Sequence, residues 1–279
     1  MPPTHILPRL TINTDLAHTI LVKFLRDAVY KVGFSRAVIG LSGGIDSALA
    51  AYLVAEAIGP QNVLALRMPY RTSSPDSLAD AQAVIDALGI QSDTVDITPM
   101  VDPLLARFPD ANNVRRGNIM ARMRMVVLYD QSAAFGGLVI GTSNKTETLL
   151  GYSTVYGDNA AGVQPIADLY KTQVRQLGRA LGLPPSILAK PPSADLWAGQ
   201  TDENELGFTY ETADQVLYLL VDERYTVDEV AAEGFERDFV ARVWRQVRLN
   251  HYKRTMPNVA KLSTRSIGHD FLYLRDWSG

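Results

Sequence analysis

The hexapeptide Ser42-Gly43-Gly44-Ile45-Asp46-Ser47 is where this sequence first shows chemistry. Two glycines permit positive φ and close approach of a ligand to the backbone. Successive N–H groups at the opening of a helix then form a seat for a multiply charged anion. Ser42 and Ser47 add hydroxyl donors, and the Asp46 carboxylate is favourable beside such an anion only with a cation between them. A tight strand-to-helix turn capped by Asp46 is the plainer reading, and for a lone Gly-Gly it would be preferred. Six such residues directly after an apolar run favour the anion site. The loop is not a Walker loop, which is longer and places Lys before the hydroxyl residue.

The elements that must position this loop follow from the pattern. Thr14 to Val32 reads as an amphipathic helix with Leu16, Ile20, Phe24 and Ala28 at helical spacing, stopped by Gly33. Ala37 to Leu41 is a continuous apolar run, the signature of a strand buried on both faces, and it leads straight into the loop. Ala48 to Ile58 is helical by composition. Val63 to Met68 reads as a strand, Ser74 to Leu88 as a helix, Ser92 to Ile97 as a strand, Asn112 to Phe135 as a long helix, and Leu138 to Ile140 as a strand before a helix start at Asn144 to Leu150. This alternation predicts an α/β fold, a doubly wound parallel sheet flanked by helices. Gly151 to Val163 reads as a glycine-rich loop. Asp168 is placed to cap a helix from Tyr170 to Leu181, Lys190 to Gly207 reads as a long surface loop, and Tyr210 to Leu249 is helical in pattern. With no strong linker, residues 1–279 are expected to form a single domain whose C-terminal part, from about residue 208, is helical.

Composition excludes by absence. The 279 residues carry 27 Lys+Arg against 30 Asp+Glu and no cysteine. That balance offers no basic excess for nucleic acid or an anionic membrane, so neither partner is expected. Without Cys there is no disulfide framework, no thiol nucleophile and no Cys-based metal site. No apolar stretch is long enough to span a bilayer, and a cytoplasmic protein is the expectation.

The loop resembles the pyrophosphate loop of the ATP-pyrophosphatase superfamily, whose members activate an oxygen as an adenylate. Further segments narrow the likeness: Gly117-Asn118-Ile119-Met120-Ala121-Arg122-Met123-Arg124-Met125, Gly141-Thr142-Ser143-Asn144-Lys145-Thr146-Glu147, Asp168 to Val174, Lys190 to Leu196, and Tyr252-Lys253-Arg254. Together they resemble NAD synthetases from about Leu16 to Asp270. The resemblance implies an adenine-nucleotide alpha hydrolase-like fold. It also implies ATP-dependent amidation of deamido-NAD to NAD, the last step of NAD biosynthesis, through an acyl adenylate that consumes ammonia and releases AMP and pyrophosphate.

It implies roles as well. ATP would be held by Gly40, Leu41, Ser42, Gly43, Gly44, Ile45, Asp46 and Ser47, by Thr142 at a strand C-terminus, where open α/β sheets bind ligands, and by Lys171 and Ser193 at the phosphates. Arg67 is a weaker candidate on the adenylate side. Asp46 and Glu147 are hard oxygen donors suited to Mg²⁺, and with Lys171 they form the expected catalytic set. Asn118 and Arg122, four residues apart on one helix face, would address deamido-NAD, and Tyr252 and Lys253 would close over it. Arg124 reads as structural. Met120, Met123, Met125, Val126 and Val127 give the helix at 112–135 more apolar surface than a solvent face needs, and the family forms a homodimer through this helix.

The chain departs from many ammonia-dependent NAD synthetases at Val155 and Gly162, where they carry a Lys and an Asp that contact deamido-NAD. The stretch Tyr152 to Gly162, with Glu233 to Arg237 and Asn250 to Arg254, looks more like the synthetase half of the glutamine-dependent enzymes. Those carry an amidase domain with a catalytic cysteine, and this chain has neither the length nor the cysteine. Free ammonia is therefore the expected nitrogen donor, with Asp158 as a candidate base for ammonium. A synthetase subunit fed by a separate glutaminase, another adenylating amidotransferase, and a non-catalytic ATP-binding sensor are the alternatives.

Overall fold

The computed structural model describes residues 3–193, 201–268 and 270. Four parallel strands, β1 (Ala37–Gly40), β2 (Val63–Arg67), β3 (Gln91–Thr94) and β4 (Leu138–Ile140), lie in the order β3-β2-β1-β4. Ala37 pairs with Val63 on one side and Leu138 on the other. Successive side chains of β1 point to opposite faces, so Ala37 and Ile39 join one buried cluster and Val38 the other. Both faces are covered, as the apolar run of β1 requires. On the first lie α1 (Thr14–Lys31), α2 (Ile45–Ile58), α3 (Pro75–Leu88) and α7 (Lys171–Ala180); on the second, α4 (Thr98–Ala106) and α5 (Asn113–Phe135).

The chain runs from β1 to β2 and β3 on one side, then crosses back to place β4 on the other. The crevice between the C-terminal ends of β1 and β4 is thus the point where winding reverses, the place where such sheets bind ligands. The loop after β1 opens α2, and the turn after β4 opens α6 (Lys145–Leu150). A third cluster gathers the C-terminal helices: α10 (Tyr210–Leu217), after the short α8 (Pro185–Ala189) and α9 (Asp202–Leu206), then α11 (Val227–Ala232) and α12 (Arg237–Leu249). The N-terminal Ile6 and Leu10 are buried in this same cluster, which ties the N-terminal segment to the C-terminal helices.

Several expectations are corrected. In α1 the stripe Leu16, Ile20 and Phe24 is 57%, 55% and 44% exposed, while Val22, Leu25 and Val29 are buried. Both sets satisfy helical spacing, so periodicity cannot choose between them. Helix α2 starts at Ile45, not Ala48, and β3 ends at Thr94. The loop expected at Lys190 to Gly207 contains α9, capped by the Thr201 hydroxyl; residues 194–200 of that expectation fall outside the described residues. Asp168 caps no helix among the described residues; it is exposed and pairs with Lys145 at 3.2 Å, while α7 starts from Tyr170, whose N–H donates to Gln173 Oε1. The pattern from Tyr210 to Leu249 is broken by a π-helical turn at Tyr218–Asp222.

Candidate active site

A cavity of about 700 Å³ opens at the crevice between β1 and β4. Its wall contains Gly40, Leu41, Ser42, Gly44, Ile45, Asp46 and Ser47 from the first loop and Thr142 and Glu147 from the second, with Lys171, Ser193, Asn118 and Lys253. Residues from six separate stretches of the chain therefore meet in one place. Arg67 is outside this wall; its guanidinium donates to Gln82 Oε1 on α3. Arg122 and Tyr252 are also outside it and exposed, Tyr252 to 64%.

The first loop is held by its own serines. Ser47 Oγ donates to Gly44 O at 3.0 Å and lies 3.1 Å from Ser42 Oγ, and Gly44 N donates to Ser42 Oγ at 3.2 Å. Only Gly43 takes positive φ, at 77°, and a Cβ on it would stand 2.2 Å from the Ser77 carbonyl oxygen. Glycine is required here by backbone angle and by contact alike. Gly44, expected to share that role, has φ −91°.

Lys171 sits at the centre. Its side chain is buried, and Nζ donates to Asp46 Oδ2 at 2.5 Å and Glu147 Oε1 at 3.1 Å. Asn144 aligns the two carboxylates: Nδ2 donates to Asp46 Oδ1 at 2.9 Å, and Oδ1 accepts the Glu147 N–H as the cap of α6. Behind them Tyr210 OH donates toward Asp202 Oδ2 at 3.0 Å and lies 3.3 Å from Glu147 Oε1, and Tyr152 OH reaches Asp202 Oδ1 and Glu205 Oε2 at 3.2 and 2.8 Å. Burial raises the Glu147 carboxyl to about 7, with Lys171 opposing and the Asp46 and Asp202 charges adding to the rise. Burial alone would lower the Lys171 pKa, but the Asp46 and Glu147 charges outweigh it and hold the ammonium well above its usual range.

The opposite wall is built on α5. Asn118 Oδ1 accepts from Thr154 Oγ1 at 2.8 Å, and Arg122 Nε donates to Val155 O at 3.2 Å. Both therefore brace the 151–163 loop. Val155 contributes its carbonyl oxygen there, which any side chain would supply. Lys253 joins them, donating to Gly151 O and Ser153 O at 2.7 and 2.9 Å. Asp158 Oδ1 accepts from Thr154 N at 2.9 Å, and its pKa is raised by desolvation.

Sequence reasoning missed three features of the site. Tyr210 and Asp202 stand in for the second layer behind Glu147, but nothing in their spacing ties them to it. Arg124, read as structural, does brace Met68 O at 3.0 Å, and it also lines the cavity. Arg175 lies one turn beyond Lys171 on the same face of α7 and lines the cavity. No hydrogen bond or ion pair among the described residues engages it. The i, i+4 spacing from Lys171 was a signal available in the sequence.

Two carboxylates, one ammonium and a glycine-rich anion seat at the switch point of a parallel sheet define a nucleotide-dependent α/β enzyme site. Comparison with known proteins gives the family. The sequence model of NAD synthase matches residues 17–257. The NH(3)-dependent NAD(+) synthetase of Trichlorobacter lovleyi is 58% identical over 97% of this chain and 99% of its own length. Among solved structures, the NMN synthetase of Francisella tularensis aligns with TM-score 0.79 at 34% identity over 90% of this chain and 99% of its own. The NH3-dependent NAD synthetase of Campylobacter jejuni, in complex with nitrate ion, aligns with TM-score 0.77 at 31% identity over 90% of this chain and 100% of its own. The chain belongs to the NAD synthase family.

Proposed function

We propose that this protein converts deamido-NAD to NAD, using ATP and ammonia and releasing AMP and pyrophosphate. The observation that carries the reading is the junction of Asp46, Glu147 and Lys171 beside the glycine-rich loop in one cavity, in a chain 58% identical to an ammonia-dependent synthetase. A carboxylate is a poor acyl donor. Attack of the nicotinate oxygen on the α-phosphorus of ATP expels pyrophosphate and gives an acyl adenylate; ammonia then attacks the acyl carbon, and AMP leaves.

The chain contributes position and charge rather than a covalent nucleophile. The Ser42 and Gly44 N–H groups hold the loop's own serines; the remaining amides of the loop at the N-terminus of α2 face the phosphates, and Thr142 and Ser193 donate hydroxyl hydrogen bonds from the opposite rim. Lys171 swings its ammonium from the carboxylates toward the phosphate oxygens as negative charge builds on the leaving pyrophosphate, and Arg175 adds a second cation one turn away. Asn118, Arg122 and Lys253 order the wall that receives deamido-NAD, Tyr252, exposed outside it, closes over the bound substrate, and Asp158, its pKa raised by desolvation, takes the proton from ammonium.

The residues fit Mg²⁺. Two hard carboxylates, Asp46 and Glu147, converge on one point at the cavity. That is the arrangement expected for an ion that fills its remaining positions with phosphate and water. Asp46 and Glu147 would hold it, and when bound it neutralises phosphate charge. The α5 face carrying Val126 and Tyr129, 53% and 42% exposed, is the proposed homodimer contact. Residues 1–279 act as one domain, and the setting is cytoplasmic; no helix among the described residues is long and apolar enough to cross a membrane.

The test is direct. Protein incubated with ATP, Mg²⁺, deamido-NAD and ammonium should form NAD and AMP in equal amounts, and absence of NAD from folded protein would refute the assignment. Replacing ammonium with glutamine should abolish turnover.

A further inference from the structure

We infer that Asp214 is a positioning residue for the reaction, a buried carboxylate that locks the starts of α6 and α7 together and so fixes Glu147 against Lys171. The inference rests on the roles proposed above for those two residues.

Asp214 lies on α10 with no solvent exposure, and neither of its oxygens bonds to the Lys171 ammonium or to Glu147. Oδ1 accepts from Thr146 Oγ1 at 2.6 Å. Oδ2 accepts from the Thr172 N–H at 2.8 Å. The Thr146 hydroxyl in turn accepts the Lys171 N–H at 3.0 Å. One carboxylate and one buried hydroxyl therefore satisfy the first two amides of α7 and join them to the residue directly before Glu147.

Helix starts are ordinarily capped by the side chain of the residue just before the helix, a Ser, Thr, Asn or Asp. Here the cap comes from a different helix, 42 residues downstream of Thr172, and it is an ion. A carboxylate accepts at both oxygens, which this geometry needs: Thr146 OH and Thr172 N–H are both donors, and the asparagine amide would turn an NH₂ against one of them. A buried charge is a poor way to gain stability alone, since neutral replacements of buried ions are often tolerated or stabilising. Its use at this junction is explained by register. Lys171 is the first residue of α7 and Glu147 the third of α6, so a small rotation of either helix start moves Nζ or Oε1 out of the 3.1 Å contact.

Asp214→Asn, Thr146→Val and Thr146→Ser decide the matter, each checked for folding by circular dichroism and thermal melting, with active sites counted by bound ATP. Displacement of a positioned group by about 1 Å lowers turnover on the order of 100-fold. Asp214→Asn and Thr146→Val are therefore expected to lower kcat per active site by roughly 10- to 100-fold and to leave the KM for deamido-NAD within about twofold. Thr146→Ser, which keeps the hydroxyl, should restore activity. Because Asp214 acts through Lys171, adding Asp214→Asn to Lys171→Met should cost less than about threefold more. The inference is overturned if Asp214→Asn retains kcat within about threefold of the parent, if only melting temperature and active-site count fall, or if its full cost persists beside Lys171→Met. Should Asp214→Asn fail to fold, the comparison of Thr146→Val with Thr146→Ser decides alone, with equal activity overturning the inference. A parent protein that makes no NAD overturns the underlying assignment, and the inference with it.

Discussion

Replacing Lys171 with Met removes the ammonium that lies between Asp46 and Glu147 while keeping most of the side-chain volume. Breaking a buried pair in this way costs about 3–5 kcal/mol, because a carboxylate is left without its counter-charge. The structure also sets how that cost changes with pH. In the parent, burial raises Glu147 from 4.5 to about 7. A carboxyl whose folded pKa lies above its unfolded value contributes stability that is full below about pH 4.5 and is lost as pH rises through 7. Lys171 is the main influence holding that value down, so its loss moves the Glu147 pKa higher still. The variant then keeps its proton-linked stability to higher pH than the parent, at about 1.4 kcal/mol for each unit of additional span. The deficit of Lys171→Met is thus expected to be about 3–5 kcal/mol at alkaline pH and smaller by about 1–2 kcal/mol near pH 5.5. Urea denaturation at three pH values measures it. Mg²⁺ should raise the variant's midpoint more than the parent's, since two uncompensated carboxylates attract it. A deficit independent of pH, or a variant as stable as the parent throughout, would refute this electrostatic account.

Three further expectations concern the cavity and the outer face of α5. Arg175→Met should raise the KM for ATP about tenfold, equivalent to about 1.4 kcal/mol, with the KM for deamido-NAD unchanged in steady-state assays; an unchanged KM for ATP would remove Arg175 from the phosphate site. Gly43→Ala places a Cβ 2.2 Å from Ser77 O at φ 77°, and calorimetric titration should show ATP affinity reduced at least about tenfold alongside a backbone penalty of about 1–2 kcal/mol. Val126→Glu should convert the proposed α5 dimer to monomer in sedimentation velocity, because a charge buried at that contact would lack a partner; a parent already monomeric, or a dimer unaltered by the substitution, would refute the α5 contact.

The sheet and the first loop were legible because their signals are local. A run such as Ala37 to Leu41 reports burial on both faces, and the six residues that follow carry the site's anion chemistry within one turn of chain. Helix α1 shows the limit: Leu16-Ile20-Phe24 and Val22-Leu25-Val29 are both apolar stripes, and only packing against α2 and α7 selects the second. Helix α4 was hidden by Pro99 and Pro103, residues that weaken a helical pattern even where a first-turn proline is tolerated. Asp202, Tyr210 and Asp214 were invisible for another reason. Their partners Tyr152, Glu147 and Thr146 lie 50, 63 and 68 residues away, and nothing in a single sequence marks such pairs.

Those separations carry a consequence for how the enzyme comes into being. The Lys171–Asp46 contact closes 125 residues of chain, and Asn144–Asp46 closes 98. Contacts this distant gain little until the intervening segments are ordered, because loop-closure entropy must be met before the contact contributes. Regain of NAD formation after dilution from denaturant is therefore a reporter of the completed fold, arriving with or after the slowest structural phase. On a ribosome, no nascent chain whose folded portion ends before α10 holds the locked starts of α6 and α7.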